Sequence, residues 1–462
     1  MTHHISPKPA PKPLLKYRIN NVDWSAFAES VDSFLSQLEP VNLENLSENY
    51  NQFQQALVNA ADIHFPIKQY KQKFLSPPWW DSECTSAVQL REESELEYNR
   101  NMTIENFIAF QRNSAKVRRM LSKKKHKGWK AFCDSLSPRS PSSLVWRNIK
   151  RFRGSRTIDS PSNDPSPWLH EFETKLAPPF RPDQDYFPST SIPPPSHRLE
   201  QPFSLVELQI VLKELKDSTP GEDGIPYSFI KNLNILGKTY FLNIVNNIFI
   251  SGNIPEPWKT QVVLPILKPG KNPSEPTSYR PIALSSTLCK IFEHMVKNRL
   301  EWYVDSKDIL GKTQFGFRKG KSTIDSLSML STDIRLAFAN GDYLVGIFLD
   351  ITSAYDSVNL PLLRRKMLNL SIPERIVHFV MNLFMARSIK IRINEELMPP
   401  RTVWKGLPQG SVLSPLLYNI YTYDLELAVN SFCNTLQYAD DLALYISSNS
   451  ICDAAVNLNS AM

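Results

Sequence analysis

Two adjacent carboxylates, Asp440 and Asp441, interrupt the otherwise apolar run Leu436-Gln-Tyr-Ala-Asp-Asp-Leu-Ala-Leu-Tyr-Ile446. The pattern reads as strand, tight turn, strand, and a single Asp would be ordinary turn chemistry there. Paired like charges among apolar neighbours are different, because they are costly unless a cation neutralises them. Ninety residues upstream, Tyr343-Leu-Val-Gly-Ile-Phe-Leu-Asp350 is a continuous apolar run that ends in a third carboxylate. A buried strand that delivers an Asp at its C-terminal end holds a catalytic group rigidly. Oxygen ligands of this kind suit magnesium, which binds through one or two carboxylates plus substrate phosphates.

The elements around these acids fall into a recognisable order. Ser204-Leu-Val-Glu207 is a capping box that opens an amphipathic helix running to about Lys216. From there to the end, β-rich runs such as Gln261–Leu267, Tyr343–Asp350 and Lys390–Ile393 alternate with helical patterns, which indicates an α+β or α/β domain. Upstream, residues 158–203 are rich in Pro and Ser and read as a linker with little regular structure. Residues 22–62 place Trp24, Phe27, Val31, Phe34, Leu35 and Leu38 at helical spacing, so amphipathic helices are expected there. After Pro77-Pro78 and Trp79-Trp80-Asp81, a Glu- and Arg-rich helical stretch continues to about Ser137.

At 462 residues the chain suggests two or three regions, and its net charge of +7 is modest. The distribution is not. Between Arg112 and Arg156 stand fifteen Lys or Arg against one acid, Asp134, with Trp129, Phe132, Trp146 and Phe152 interleaved. A solvated helix face would account for part of this, but the imbalance favours contact with a nucleic-acid backbone. Five scattered Cys and eight His form no zinc-spaced cluster. Met1–Lys16 has no apolar core of a secretory leader, and no run approaches a membrane span. An intracellular protein without membrane contact is expected.

Phe348-Leu-Asp350-Ile-Thr-Ser-Ala-Tyr355-Asp-Ser-Val358 resembles motif A of reverse transcriptases, Gly406-Leu-Pro408-Gln409-Gly410-Ser-Val-Leu-Ser-Pro415 resembles motif B, and Tyr438-Ala-Asp440-Asp441 resembles motif C. The boxes Thr219-Pro-Gly221-Glu-Asp223-Gly224-Ile225-Pro226, Ser278-Tyr-Arg280-Pro281-Ile282 and Gln314-Phe-Gly316-Phe317-Arg318-Lys-Gly-Lys-Ser-Thr323 resemble those of the non-LTR, jockey-like retrotransposons. Gly316–Ser322 is one residue short of a nucleotide-hydrolase phosphate loop and follows no strand, so that reading is set aside. Its basic and aromatic residues suggest a fingers loop that touches the template backbone.

The resemblance implies an α+β right-hand polymerase, its palm a small antiparallel sheet backed by helices, with fingers and a preceding helical basic region. The expected divisions are 1–157 for that basic region, 158–203 for the linker, 204–247 for an N-terminal fingers extension and 248–462 for the reverse transcriptase domain. The implied activity is RNA-directed DNA polymerisation on an RNA template and a DNA primer, with two Mg2+ ions and deoxynucleoside triphosphates. By similarity, Asp350 and Asp440 bridge the metals, Asp441 supports them, and the carbonyl of Ile351 is a further ligand. Tyr355 is a steric gate under the sugar, Gln409 lines the nucleotide pocket, and Lys268 and Arg280 grip the triphosphate. Asp223 is expected to cap its turn. The resemblance also implies an endonuclease and a thumb beyond this stretch, so a fragment is expected. The competing readings are an inactive nucleic-acid-binding remnant and, more distantly, a group II intron maturase.

Overall fold

In the computed structural model the described residues are 17–67, 77–137, 142–153, 166–179, 197–393, 396–429 and 433–461. Met1–Lys16, Arg139, Arg156 and much of the expected 158–203 linker lie outside them. The first helices are α1 (Trp24–Leu35), α2 (Leu46–His64), α3 (Ser82–Arg100), α4 (Ile104–Asp134), α5 (Ser142–Arg153) and α6 (Ser166–Leu176). Next come α7 (Leu205–Glu214), α8 (Tyr227–Lys231), α9 (Ile235–Ser251), α10 (Glu256–Lys259), β1 (Thr260–Leu267), β2 (Tyr279–Leu284), α11 (Thr287–Ser306) and α12 (Thr323–Ala339). The remainder is β3 (Tyr343–Asp350), α13 (Leu360–Asn369), α14 (Glu374–Phe384), β4 (Arg387–Ile393), β5 (Glu396–Leu397), β6 (Arg401–Val403), α15 (Ser414–Tyr421), α16 (Leu425–Val429), β7 (Asn434–Tyr438), β8 (Asp441–Ser448) and α17 (Ile451–Ala461). No described helix is long and apolar enough to cross a membrane.

These elements divide into two compact units. In one, α3 and α4 form an antiparallel hairpin. Asp81 caps α3 by accepting from the Cys84 N–H at 3.0 Å, and Thr103 caps α4 by accepting from the Asn106 N–H at 3.2 Å. Lys124 on α4 ties back to Asp81 and Glu83. Trp129, Phe132 and Phe152 make an aromatic cluster between α4 and α5, with ring centroids 5.1–5.6 Å apart. Arg118, Arg119, Lys123, Lys125, Lys127 and Lys130 stay exposed.

The other unit holds α1, α2, α6 and everything from residue 197 onward. Here the packing departs from the divisions expected from the sequence. Helices α1 and α2, expected within a 1–157 region, join the core of this unit. Phe27 lies 5.0 Å from Phe229 at the ring centroids, and Phe53 stacks on Tyr240 and Phe241. The reason is apolar matching: the stripe Phe27, Val31, Tyr50, Phe53, Leu57 is buried, with Phe229 of α8, Tyr240 and Phe241 of α9 and Trp258 of α10 among its partners. Helix α6 also falls inside the stretch expected to have little regular structure. Trp168 of α6 stacks on Tyr279 of β2 at 4.4 Å with the rings nearly parallel, and Glu173 pairs with Arg401 at 3.2 Å.

Two small sheets follow from the apolar runs. One is mixed: β2-β1-β4-β5 in order, with β6 also on β4 and the β1–β4 pair parallel. The other is antiparallel, β3-β8-β7. Side chains alternate between the faces of a strand. Val345, Ile347, Leu349, Leu442 and Leu444 therefore go under α16 and α17, and Asp350 and Asp441 emerge on the opposite face.

Candidate active site

The register of the antiparallel sheet decides where the acids stand. Asp350 is the direct cross-strand partner of Asp441, and Tyr438 pairs with Asp441 from the other side. Direct partners place their Cβ atoms roughly 4.5–5.5 Å apart on one face. Only Ala439 and Asp440 remain to make the turn, and Ala439 takes a left-handed φ of 59°. A non-glycine residue there is uncommon and must be held by its surroundings. The hold is visible: the Gln437 side chain donates to the Ala439 carbonyl at 3.0 Å and to Thr422 Oγ1 at 3.1 Å. The backbone of Gln437 also bonds to Thr313 and Phe315, at 3.0 and 2.8 Å.

Those last bonds anchor the Gln314–Thr323 box. Expected on a loop touching template, it is folded against the Tyr438–Ala439 turn. A Cβ on Gly316 would lie 2.1 Å from the Ala439 nitrogen, so only glycine fits this approach. Asn419 donates to the Gly316 carbonyl at 2.9 Å. Two of the three cations of the box are also used internally. Arg318 donates to the Gly311 carbonyl at 2.8 Å, and Lys321 to the Lys312 carbonyl at 2.6 Å.

The segments carrying Tyr355 and Gln409 are stitched together. The Leu407 N–H donates to the Tyr355 carbonyl and the Gly406 N–H to the Val358 carbonyl, both at 2.8 Å. The Gln409 carbonyl accepts from the Ala283 N–H of β2 at 2.7 Å, and Gly410, at φ 132°, passes so close that a Cβ would stand 2.3 Å from the Ala283 oxygen. Thus β2, which carries Arg280, is bolted to the loop that carries Gln409. Lys268 and Arg280 flank the β1–β2 connection, where Leu267 pairs with Tyr279 and Ile266 with Arg280.

These arrangements enclose a cleft of about 650 Å³, within the range of small-molecule sites. Its wall includes Asp350, Ile351, Tyr355, Lys268, Arg280, Gln409 and Asp440. Of the residues expected to bind metal or nucleotide, Asp441 alone does not line it; its side chain is exposed beside Asp350. Tyr355 stacks on Tyr418 of α15 at 5.2 Å. Burial first, and then the Asp440 carboxylate, push both phenols up, Tyr418 to about 12. Both rings are therefore neutral at physiological pH. Asp356, just beyond Tyr355, is also raised by burial, with Arg387, Lys175 and Lys405 opposing the shift.

Among the described residues no three His, Cys, Asp or Glu side chains close into a metal cage. The donor set nevertheless fits magnesium. Two hard carboxylates, Asp350 and Asp440, face one cleft with Ile351 beside them. Magnesium takes one or two carboxylates and completes its shell with water and substrate phosphate, so a closed cage is not required.

Residues 266–461 match the family model described as reverse transcriptase (RNA-dependent DNA polymerase). The chain carries a reverse transcriptase domain. Over 98% of its length it is 27% identical to the RNA-directed DNA polymerase from mobile element jockey of Drosophila melanogaster, covering 52% of that protein. It is 34% identical over 56% of its length to the probable RNA-directed DNA polymerase from transposon BS of the same fly, covering 29% of that protein. For the probable RNA-directed DNA polymerase from transposon X-element, also of Drosophila melanogaster, the identity is 30% over 55% of this chain and 28% of the relative. The chain is thus homologous, over much of its length, to non-LTR retrotransposon polymerases, and it spans about half or less of each of them.

Several residues that shape the cleft were not legible as site residues. Glu293 of α11, 1% exposed, accepts from the Ser411 hydroxyl and from the Val412 and Leu413 N–H groups at 2.9 and 3.2 Å. Burial raises its carboxyl, and these donors work against that. It sits more than a hundred residues from the loop it braces, so no local pattern announces it. Tyr418, behind Tyr355, reads in sequence as core. Phe172, Lys175 and Leu176 of α6 line the cleft from a stretch whose Pro and Ser content signalled only a linker. Asp223, expected to brace its turn, accepts from the Ile225 N–H at 3.2 Å and does not line the cleft.

Proposed function

We propose that this chain extends the 3′-hydroxyl of a DNA primer with deoxynucleotides, copying an RNA template, as part of a non-LTR retrotransposon protein. The observation that carries this reading is the convergence of Asp350, Asp440, Lys268, Arg280, Tyr355 and Gln409 on one cleft. In this reading the β3-β8-β7 sheet is the palm and the β1–β2 hairpin belongs to the fingers.

The primer 3′-hydroxyl gives up its proton to solvent, and its oxygen forms a bond to the α-phosphorus of the incoming triphosphate. The bond from that phosphorus to the bridging oxygen of the β-phosphate breaks, and pyrophosphate leaves. Asp350 and Asp440, with the Ile351 carbonyl, would hold two Mg2+ ions. Such ions lower the basicity of the attacking oxygen and stabilise charge on the leaving one. Asp441, opposite Asp350 in register, adds negative charge that raises the cation affinity of the pair. Lys268 and Arg280 grip the triphosphate and stabilise charge that grows in the transition state. Tyr355, backed by Tyr418, lies under the sugar and excludes a 2′-hydroxyl by its bulk, while Gln409 contacts the nucleotide. The exposed cations of α4 hold nucleic-acid backbone, a salt-sensitive and sequence-independent contact.

The test is extension of a labelled DNA primer annealed to RNA, with magnesium and the four deoxynucleotides. Stepwise products, stopped by a dideoxynucleotide at its complementary positions, support the reading. Binding of the duplex with no added nucleotide would leave only a nucleic-acid-binding protein.

A further inference from the structure

Helix α6 has no role in the machinery described so far, yet it forms part of the cleft wall. Ser166–Leu176 is a regular helix within a Pro- and Ser-rich stretch. It is anchored at three points. Trp168 is buried and stacks on Tyr279 at 4.4 Å, Phe172 is 2% exposed in the same apolar cluster with Val263 and Ala283, and Glu173 pairs with Arg401. The anchors set its direction. Tyr279 is next to Arg280, so fixing α6 on that residue brings its last turn to the mouth of the cleft.

At that mouth stands Lys175. It lines the same cleft as Lys268 and Arg280, is exposed, and is near enough to Asp356 to act on that carboxyl. The other residues α6 brings there, Phe172 and Leu176, are apolar. A cation that shares a cleft with Lys268 and Arg280, flanked on its own helix by apolar residues, fits a polyanion better than a base or a sugar.

We propose that α6 covers the nucleotide cleft and that Lys175 supplies a third cation to the triphosphate of the incoming nucleotide. This rests on the polymerase reading of the cleft. A cover held by Trp168 and Phe172 restricts water on that side, which strengthens each phosphate contact inside it. Lys175 is a binding residue in this account and takes no part in bond making.

The test uses the whole chain held on an RNA template with a dideoxy-ended DNA primer, titrated calorimetrically with dTTP opposite a templating adenine. Thymidine, which lacks the phosphates, is the control ligand. Lys175→Ala should weaken dTTP binding about tenfold, the scale of one charge-assisted contact. Lys175→Glu should weaken it further, Lys175→Arg should restore most of it, and thymidine should not distinguish the variants. Because Lys175 is exposed, these substitutions leave the fold intact, and unchanged thermal melting checks this. Trp168→Ala, which releases the helix, should reproduce the loss with Lys175 still present. Equal dTTP binding in the unmutated chain, Lys175→Ala and Lys175→Glu overturns the proposal, as does failure of the unmutated complex to bind dTTP. Primer extension run in parallel separates this from the polymerase reading. Extension with no dependence on Lys175 sinks the cover alone, whereas Lys175-dependent dTTP binding without extension keeps the cover and sinks the polymerase.

Discussion

The sharpest consequence of the site concerns a residue that touches no substrate. Gly316 lies against the turn that presents Asp440, and a Cβ there would be 2.1 Å from the Ala439 nitrogen and 2.8 Å from its Cα. Both are backbone atoms, so no side chain can swing aside. Ordinary contact begins at 3.4 Å, and Gly316→Ala therefore forces a retreat of roughly 1.3 Å between the loop and the turn. A misplacement of about 1 Å in a catalytic constellation costs on the order of a hundredfold in rate. Gly316→Ala is accordingly expected to lower kcat for single-nucleotide addition by about a hundredfold, with duplex binding nearly unchanged. Gly346→Ala is the control, because its Cβ would meet Tyr445 at an ordinary 3.4 Å in strand β3. It should stay within about twofold of the unmutated chain. Single-turnover addition on a pre-bound primer–template reads kcat directly. If Gly316→Ala adds nucleotide as fast as Gly346→Ala, the turn is not held by this contact and the reasoning fails.

Four further outcomes are expected. Tyr355→Ala should lose about a hundredfold of the preference for deoxynucleotides over ribonucleotides, while Tyr355→Phe keeps it, because the ring and not the hydroxyl fills the space; competition between dGTP and GTP reads this. Glu293→Ala strands the Ser411 hydroxyl and two N–H groups and should destabilise the chain by about 3 kcal/mol in urea unfolding, whereas Glu293→Gln, which retains an acceptor, costs less. Arg299 binds Glu207 and the carbonyls of Leu199 and Gln201 while lying 3.6 Å over the Phe203 ring, so Arg299→Ala should cost about 2–4 kcal/mol. Burial would raise the Glu207 carboxyl, but Arg299 and the Ser204 N–H outweigh it and hold it below its ordinary value of 4.5. A carboxylate depressed in the fold stabilises above its unfolded value and loses that contribution as pH falls. The stability gap between the unmutated chain and Arg299→Ala should therefore narrow below about pH 4.5.

What the sequence made legible follows from which signals are local. The run Tyr343–Asp350 and the Leu436–Ile446 hairpin are continuous apolar strands closed by acids, so strand, turn and carboxylate are all visible within about ten residues. The capping box at Ser204 is likewise local, and α7 begins at Leu205. Packing partners are a different kind of information. The apolar faces of α1 and α2 were plain, but nothing in an amphipathic stripe names α9 as the surface that buries it. Pro and Ser around Ser166–Leu176 masked a helix whose stability comes from Trp168 on Tyr279, a residue more than a hundred positions away. The Gln314–Thr323 box carries more than its local pattern tells: Arg318 and Lys321 satisfy backbone carbonyls of their own loop, while Phe317 and Lys319 stay exposed.

The central claim is that Asp350 and Asp440, brought to one cleft from strands ninety residues apart, drive nucleotide addition. Its most direct test is magnesium-dependent extension of a DNA primer on RNA by the unmutated chain beside Asp350→Asn and Asp440→Asn. These substitutions keep size and remove charge. Addition by the unmutated chain that falls by three or more orders of magnitude in both variants, on the scale of losing a catalytic metal ligand, is the predicted result. Addition that survives either substitution, or none from the unmutated chain while it still binds the primer–template, would contradict it.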